Sequence, residues 1–217
     1  CQIAEWQERF ENFRVAVNLS ALKLHRRGIF DRLRELLATT RARAEHLELE
    51  ITESALITDF DAASSWLLAV REMGVTVALD DFGTGYSSLS YLRRLPLDSI
   101  KIDQTFVGAL ETDGSTTAIV RAMIAMAKAM DMRVVAEGVE TAGQAEILTR
   151  LGCDVLQGFL FSPAVPARHF EGMLQAGKVE PRQPLATVGS GPTLVVSNDN
   201  LRSPRTSGTT DTGARAG

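Results

Sequence analysis

The chain has 217 residues, of which 45% are hydrophobic and 23% are charged, and its formal net charge is −4. This ordinary globular composition excludes collagen, coiled coils and wholesale disorder. Two cysteines, Cys1 and Cys153, are too few for a disulfide framework or a cysteine-based metal site.

The composition changes near residue 177. Residues 177–217 contain no Phe, Trp or Tyr, but they hold four of the seven prolines and six of the 17 glycines. Such a segment buries too little apolar surface to offset the entropy of ordering it. We therefore expect a folded domain at 1–176 and a disordered low-complexity tail at 177–217. The tail has a net charge of +2, so the folded part has −6, which argues against a broad nucleic-acid surface.

Strands and helices are predicted to alternate along residues 1–176. Apolar runs predict six strands, and amphipathic stretches between them predict helices. The predicted strands are Val15–Asn18, Leu47–Ile51, Val75–Leu79, Ser99–Ile102, Arg133–Ala136 and Asp154–Leu156. The predicted helices are near 1–13, 30–42, 61–73, 87–94, 115–130, 142–151 and 167–174. This alternation is typical of an α/β fold with a parallel sheet covered by helices.

Every predicted strand leads into a polar or charged residue. These residues are Asn18, Glu50, Asp80 with Asp81, Lys101, Glu137 and Gln157. Their mean spacing of about 28 residues is close to the roughly 31 residues per unit of a (β/α)₈ barrel, whose catalytic groups come from the C-terminal ends of its strands. Turn-forming polar residues would explain one such position, but they are a poor explanation for all six.

These side chains, placed around one barrel mouth, predict a metal site. Four carboxylates repel one another unless a cation lies among them, and an all-oxygen ligand set suits Mg²⁺ or Mn²⁺. The adjacent Asp80 and Asp81 favour two metals, with Asp80 bridging them, which is an arrangement that hydrolyses phosphoesters. Lys101 either orients the attacking water, takes its proton or neutralises phosphate charge.

Two other features carry weaker predictions. The segment 81–88 is rich in small and hydroxyl residues but matches neither a dinucleotide fingerprint nor a P-loop. The segment either forms a flexible lid or contacts phosphate, or it is only a turn that connects two elements. The histidines His25, His46 and His169 stand at no strand end, so we predict that all three are surface residues.

The strand-end residues resemble the motifs of the EAL-domain phosphodiesterases, which hydrolyse cyclic di-GMP. Six motifs match in order over about residues 1–175. They are Val17-Asn18-Leu19-Ser20, Glu50-Ile51-Thr52-Glu53, the segment 80–89, Lys101-Ile102-Asp103, Glu137-Gly138-Val139-Glu140 and Gln157-Gly158-Phe159. The resemblance implies a modified (β/α)₈ TIM-type barrel, with about six units present here. It also implies hydrolysis of cyclic di-GMP to linear pGpG in bacterial second-messenger signalling.

The resemblance implies roles for particular residues. Asn18, Glu50 and Asp80 would hold one Mg²⁺ or Mn²⁺, and Asp80 with Asp81 would hold the second. Lys101 and Glu137 would position and activate the attacking water.

Three more residues receive roles from the same resemblance. Glu53 would anchor the loop 81–88, and Gln157 and Asp103 would contact the substrate. Because family members commonly dimerise near the loop after Asp81, we expect a homodimer. The expected ligand is cyclic di-GMP, with no nucleic-acid polymer and no membrane contact by this segment.

The chain departs from the family pattern at two places. The Glu-Ala-Leu run, whose glutamate is normally a metal ligand upstream of the asparagine strand, does not occur in the chain. Ser162-Pro163-Ala164 stands where the family usually has Arg-Pro. We therefore expect an N-terminally truncated domain that is inactive alone.

The missing glutamate also leaves a second class of function open. A non-catalytic receptor that binds cyclic di-GMP or a protein partner is the alternative to an enzyme. In either case we expect a cytoplasmic domain of a longer protein, with GGDEF or sensor domains upstream and membrane anchoring only through such upstream segments.

Overall fold

A parallel sheet lies at the centre of the computed structural model, which describes residues 1–11, 13–20, 28–57, 59–85, 92–176 and 193–194. Neighbouring strands follow chain order, and each pair is parallel. The strands are β1 (Val15–Asn18), β2 (Leu47–Thr52), β3 (Thr76–Phe82), β4 (Ser99–Ile102), β5 (Arg133–Ala136), β6 (Val155–Leu156) and β7 (Thr193–Leu194). The first six strands confirm the predicted α/β fold. The seventh was not predicted, and it is the only described part of the segment 177–217.

Helices connect the strands and cover one face of the sheet. They are α1 (Gln2–Trp6), α2 (Ile29–Thr40), a 3₁₀ turn (Ala44–His46), α3 (Glu53–Ile57), α4 (Phe60–Glu72), α5 (Gln104–Gly108), α6 (Gly114–Ala129), α7 (Ala142–Leu151) and α8 (Ala167–Ala176). The short helices α3 and α5 were not predicted, and α1 ends earlier than its apolar spacing indicated. Most of the predicted helix 87–94 lies outside the described residues. None of the described helices has the length and apolar character needed to span a bilayer.

The two faces of the sheet differ in polarity. Leu47, Leu49 and Ile51 of β2 belong to the hydrophobic core that the helices cover, whereas Glu48 and Glu50 point to the opposite face because side chains alternate along a strand. We call this opposite face the inner face. Paired residues of neighbouring strands point to the same face, so the register extends the inner face across the sheet. Its members include Asn18, Glu48, Glu50, Thr76, Ala78, Ser99, Lys101 and Val135.

A β-bulge interrupts this alternation in β3. Leu79 pairs with Ile100 and Phe82 pairs with Ile102, so two aspartates, Asp80 and Asp81, stand opposite one residue of β4. Asp81 has a φ of 54°, the left-handed conformation that a bulge accommodates. Leu79 and Phe82 both lie in the hydrophobic core. The bulge therefore turns both intervening aspartates toward the inner face.

His46 contradicts the prediction of a surface histidine. It is 3% exposed, and its ring stacks on Phe13 with centroids 4.2 Å apart. Its Nδ1 lies 2.8 Å from the Phe13 carbonyl oxygen, and its Nε2 lies 2.9 Å from Nη2 of Arg43. The histidine can be buried because both ring nitrogens find partners. His169 is exposed as predicted, and His25 lies outside the described residues.

Candidate active site

One lysine holds three carboxylates at the C-terminal ends of the strands. Nζ of Lys101 lies 2.5 Å from Oε1 of Glu50, 2.6 Å from Oε1 of Glu137 and 3.3 Å from Oδ1 of Asp80. The four residues come from β2, β3 and β4 and from the position directly after β5. Lys101, Glu50 and Asp80 are each at most 5% exposed. The sheet therefore brings together, out of water, residues that are up to 87 positions apart in sequence.

Burial shapes the protonation of this cluster. It raises the pKa of Glu137 to about 7, in spite of the nearby Lys101 ammonium, and it also raises the pKa of Glu50 above its usual range. Burial has the opposite effect on Lys101. There the attraction of Glu137, Glu50 and Asp80 outweighs it, and the pKa of Lys101 rises. The lysine is thus a buried ammonium, outnumbered by carboxylates that favour an additional cation.

The donor atoms fit a hard divalent cation. One carboxylate oxygen from each of Asp80, Asp81 and Glu137 lies within 4.8 Å of the other two. Asp81 can join this group because of the bulge in β3. Carboxylate oxygens are the ligands that Mg²⁺ and Mn²⁺ prefer. Glu137, to which the sequence assigned a role toward water, is therefore also placed as a candidate ligand.

The other predicted site residues lie at the same end of the strands. Asn18 is the exposed last residue of β1, and it stands opposite Glu50 in the register of β1 with β2. Gln157 directly follows β6 and is 9% exposed. Asp103 caps α5, since its Oδ1 accepts hydrogen bonds from the backbone N–H and the hydroxyl of Thr105. A substrate contact by Asp103 stays a prediction.

Glu53 contacts the segment that follows β3. It is 5% exposed, and its Oε1 accepts a hydrogen bond of 3.2 Å from the backbone N–H of Gly83. Gly83 has a φ of 96°, which favours glycine. A Cβ on Gly85 would lie 2.2 Å from Oε2 of Glu53. The glutamate and the two glycines thus fit closely together, while residues 86–91 lie outside the described part of the chain.

A second polar layer was missed by the sequence analysis. Glu48 lies two positions before Glu50 on the inner face, and its Oε2 is within reach of the hydroxyls of Thr76 and Ser99, each 3.4 Å away. Nη1 of Arg14 lies 3.6 Å from the same oxygen. We call these four residues, Arg14, Glu48, Thr76 and Ser99, the lower layer. The alternation Leu47-Glu48-Leu49-Glu50 already places Glu48 and Glu50 on one face of the strand. The prediction considered only the residues at strand ends and therefore did not include Glu48.

The comparison with known families decides the classification. The sequence profile of the EAL domain matches residues 1–164. The chain belongs to the EAL domain family. This confirms the resemblance that the six motifs indicated. The residues that match the EAL domain include both the lysine-centred cluster and the Glu53 contact.

Named relatives of this EAL domain are much longer proteins. MucR of Pseudomonas aeruginosa, a bifunctional diguanylate cyclase/cyclic di-GMP phosphodiesterase, is 47% identical over 156 residues, which is 72% of this chain and 23% of MucR. The chain spans about a quarter of the length of the curated relatives it matches first.

Solved structures of EAL proteins share the fold. The PaMucR phosphodiesterase in a c-di-GMP complex superimposes with a TM-score of 0.75 at 44% identity, covering 78% of this chain and 69% of that one. A manganese and cyclic di-GMP complex of Klebsiella pneumoniae BlrP1 gives a TM-score of 0.68 at 35% identity, covering 75% and 42%. The described sheet is thus the main part of an EAL barrel.

Proposed function

We propose that this EAL domain is part of a divalent-metal-dependent phosphodiesterase that hydrolyses cyclic di-GMP to linear pGpG. The observation that carries the proposal is the buried cluster of Lys101 with Glu50, Asp80 and Glu137. A buried ion pair contributes little to stability, so an excess of buried carboxylates points to chemistry. The phosphodiesterase activity named for MucR, and the c-di-GMP complex of PaMucR, support this substrate.

The metal ligands are the oxygen donors at the strand ends. We assign Asn18, Glu50 and Asp80 to one Mg²⁺ or Mn²⁺, and Asp80 with Asp81 to the second. Bound metals supply Lewis-acid stabilisation of phosphate charge and a water of lowered pKa. The manganese complex of BlrP1 supports the choice of cation, and the 4.8 Å grouping of Asp80, Asp81 and Glu137 supports the site.

Lys101 and Glu137 act on the water and the phosphate. Glu137 accepts the proton of the attacking water at Oε1, and the Lys101 ammonium orients Glu137 and offsets the negative charge that develops on the phosphate. A bond forms between phosphorus and the water oxygen, the P–O3′ bond breaks, and the proton passes to O3′. Lys101 is a donor here rather than a base, because its Nζ already faces three carboxylates.

The remaining assignments complete the proposal. Gln157 and Asp103 contact cyclic di-GMP, and two copies of the domain associate through the loop after Asp81. The domain works in the cytoplasm as one part of a longer signalling protein with GGDEF or sensor domains. The length of MucR relative to this chain supports the multidomain arrangement.

The test is hydrolysis by the full-length protein that contains this chain. With cyclic di-GMP and Mn²⁺ or Mg²⁺, we expect linear pGpG as the product by chromatography, and no product in EDTA. Asp80→Ala should lower the rate on the order of 10³-fold or more. Asp31→Ala is the control, because Asp31 forms an exposed ion pair with Arg34 on α2. Binding of cyclic di-GMP without any pGpG would establish the receptor alternative, and a parental rate in Asp80→Ala would exclude the metal assignment.

Glu53 is expected to act through the loop and not through the metal. Glu53→Ala removes the acceptor for Gly83, so we expect turnover to fall about 10–100-fold while the Mn²⁺ dissociation constant changes less than about threefold. Glu53→Gln keeps an acceptor at Oε1 and should retain most activity. Loss of Mn²⁺ affinity in Glu53→Ala as large as in Asp80→Ala would make Glu53 a ligand instead. The measurements are steady-state turnover and calorimetric Mn²⁺ titration.

A further inference from the structure

The lower layer places the negative charge of Glu48 beneath the cluster of Lys101 with Glu50, Asp80 and Glu137. We propose that Glu48 is a positioning residue whose fixed charge strengthens divalent-cation binding, and that Arg14 limits this effect. The inference rests on the proposed function, because it assumes that a cation binds at the carboxylates assigned there, Glu50, Asp80 and Asp81. It concerns residues that lie outside the proposed metal ligands and substrate contacts.

The position of Glu48 follows from β2. Glu48 and Glu50 are two positions apart on one strand and point to the same face, so their Cα atoms are about 7 Å apart. Thr76 of β3 and Ser99 of β4 are also inner-face residues, and their hydroxyls approach Oε2 of Glu48. The carboxylate is therefore held directly below the cluster by two neighbouring strands.

The two partners of the Arg14–Glu48 ion pair differ in position and exposure. Arg14 comes before the first residue of β1, at the far end of the strand from Asn18, and its side chain is 32% exposed against 13% for Glu48. Glu48 is two positions from Glu50 on the same strand and face, whereas Arg14 lies on the side of Glu48 away from Glu50, because Val15 pairs with Leu47. The carboxylate end of the Arg14–Glu48 pair thus acts on the cluster.

A purely structural layer would have a different composition. Barrel interiors are usually filled by bulky branched apolar side chains, and Val135 shows that apolar residues also occur on this inner face. A carboxylate under a group of carboxylates raises their mutual repulsion in the absence of a cation. The same charge becomes favourable once a divalent cation lies above it. Cation binding therefore accounts for Glu48, whereas packing alone does not.

The experiment measures the Mn²⁺ dissociation constant of the full-length protein by calorimetry or electron paramagnetic resonance. Glu48→Gln keeps an acceptor for Thr76 and Ser99 but removes the charge, and it should weaken Mn²⁺ binding about tenfold. Arg14→Gln should tighten binding about threefold, even though it destabilises the fold. The double variant should lie between the two single variants. Glu45→Gln, an exposed glutamate near Arg43, is the matched control and should change nothing.

Opposite effects of the two charge changes distinguish electrostatics from damage to the fold. Thr76→Val removes the hydroxyl that lies 3.3 Å from the Leu47 carbonyl oxygen and 3.4 Å from Oε2 of Glu48, and it keeps the charge of Glu48, so it should lower thermal stability and leave Mn²⁺ affinity within about twofold. Weakened binding in both Glu48→Gln and Arg14→Gln, or unchanged binding in Glu48→Gln, overturns the inference and leaves the proposed function standing. A parent protein that binds no Mn²⁺ overturns both.

Discussion

Lys101→Met is expected to destabilise the metal-free protein by about 3–5 kcal/mol, because it leaves buried carboxylates without their ammonium. Methionine is unbranched like lysine but ends one atom earlier, so it keeps most of the packing of the lysine stem and removes the ammonium with its charge and hydrogen bonds. Glu50 and Asp80, which are buried, and Glu137, whose side chain is 12% exposed, then face one another without the ammonium between them. Chemical unfolding in EDTA measures the free energy of unfolding. Turnover should fall about 10²–10³-fold even with saturating Mn²⁺, because the donor to the developing phosphate charge is gone.

Mn²⁺ should restore much of the lost stability of Lys101→Met. A cation that binds only the folded state stabilises it by mass action, and in this variant it takes over the role of the missing ammonium. Lys128→Met is the matched control, since Lys128 pairs with Asp154 on the surface with its side chain 42% exposed. That pair should contribute at most about 1 kcal/mol. Equal stability of the two variants in EDTA, or equal gains from Mn²⁺, would contradict the role assigned to Lys101.

Gly158→Ala has the second largest expected effect on stability. A Cβ on Gly158 would lie 2.2 Å from the carbonyl oxygen and 2.3 Å from the nitrogen of Val139. Both atoms are fixed, because the Val139 N–H donates to the carbonyl of Gln157 and the Val139 carbonyl accepts from the N–H of Leu160. Relief of the overlap must break these hydrogen bonds. We expect a loss of about 3 kcal/mol in the free energy of unfolding.

The same substitution should impair the reaction, since Glu137 lies two positions before Val139 and Gln157 directly precedes the glycine. We expect at least a tenfold loss of turnover at saturating Mn²⁺, estimated as roughly 1.4 kcal/mol of lost transition-state stabilisation. Gly172→Ala is the control, because nothing lies within 4 Å of its added Cβ in α8. It should be neutral or stabilise by up to about 1 kcal/mol. A Gly158→Ala protein with the stability and turnover of the parent would show that the segments around Val139 and Gly158 can move apart without a cost in free energy.

The fold was largely predictable because its signals are local. Apolar runs of the right length predict the strands β1 and β4 to their last residue, and amphipathic periods predict α4 and α7. The order of strands follows from the parallel alternation of strand and helix. Convergence of the strand-end residues then follows, since the C-terminal ends of parallel strands lie at one edge of the sheet.

The rest depends on contacts between distant segments. The bulge in β3 exists because Leu79 and Phe82 pair with Ile100 and Ile102, and no property of β3 alone fixes that register. Burial of His46 depends on partners at Phe13 and Arg43. The short helix α3 begins directly at Glu53, where the sequence gives no separate helical period. These features need the tertiary structure because each is stabilised by residues far away in the chain.

The bulge in β3 also limits how the length of this strand can change during evolution. Leu79 and Phe82 belong to the hydrophobic core, and the two aspartates between them share the other face. Deletion of either aspartate would restore strict alternation with the Phe82 ring still in the core, but it would leave only one carboxylate on the inner face between Leu79 and Phe82. An insertion would shift Gly83 away from the carboxylate of Glu53 that it now contacts. Homologous chains are therefore expected to keep two residues between the positions of Leu79 and Phe82.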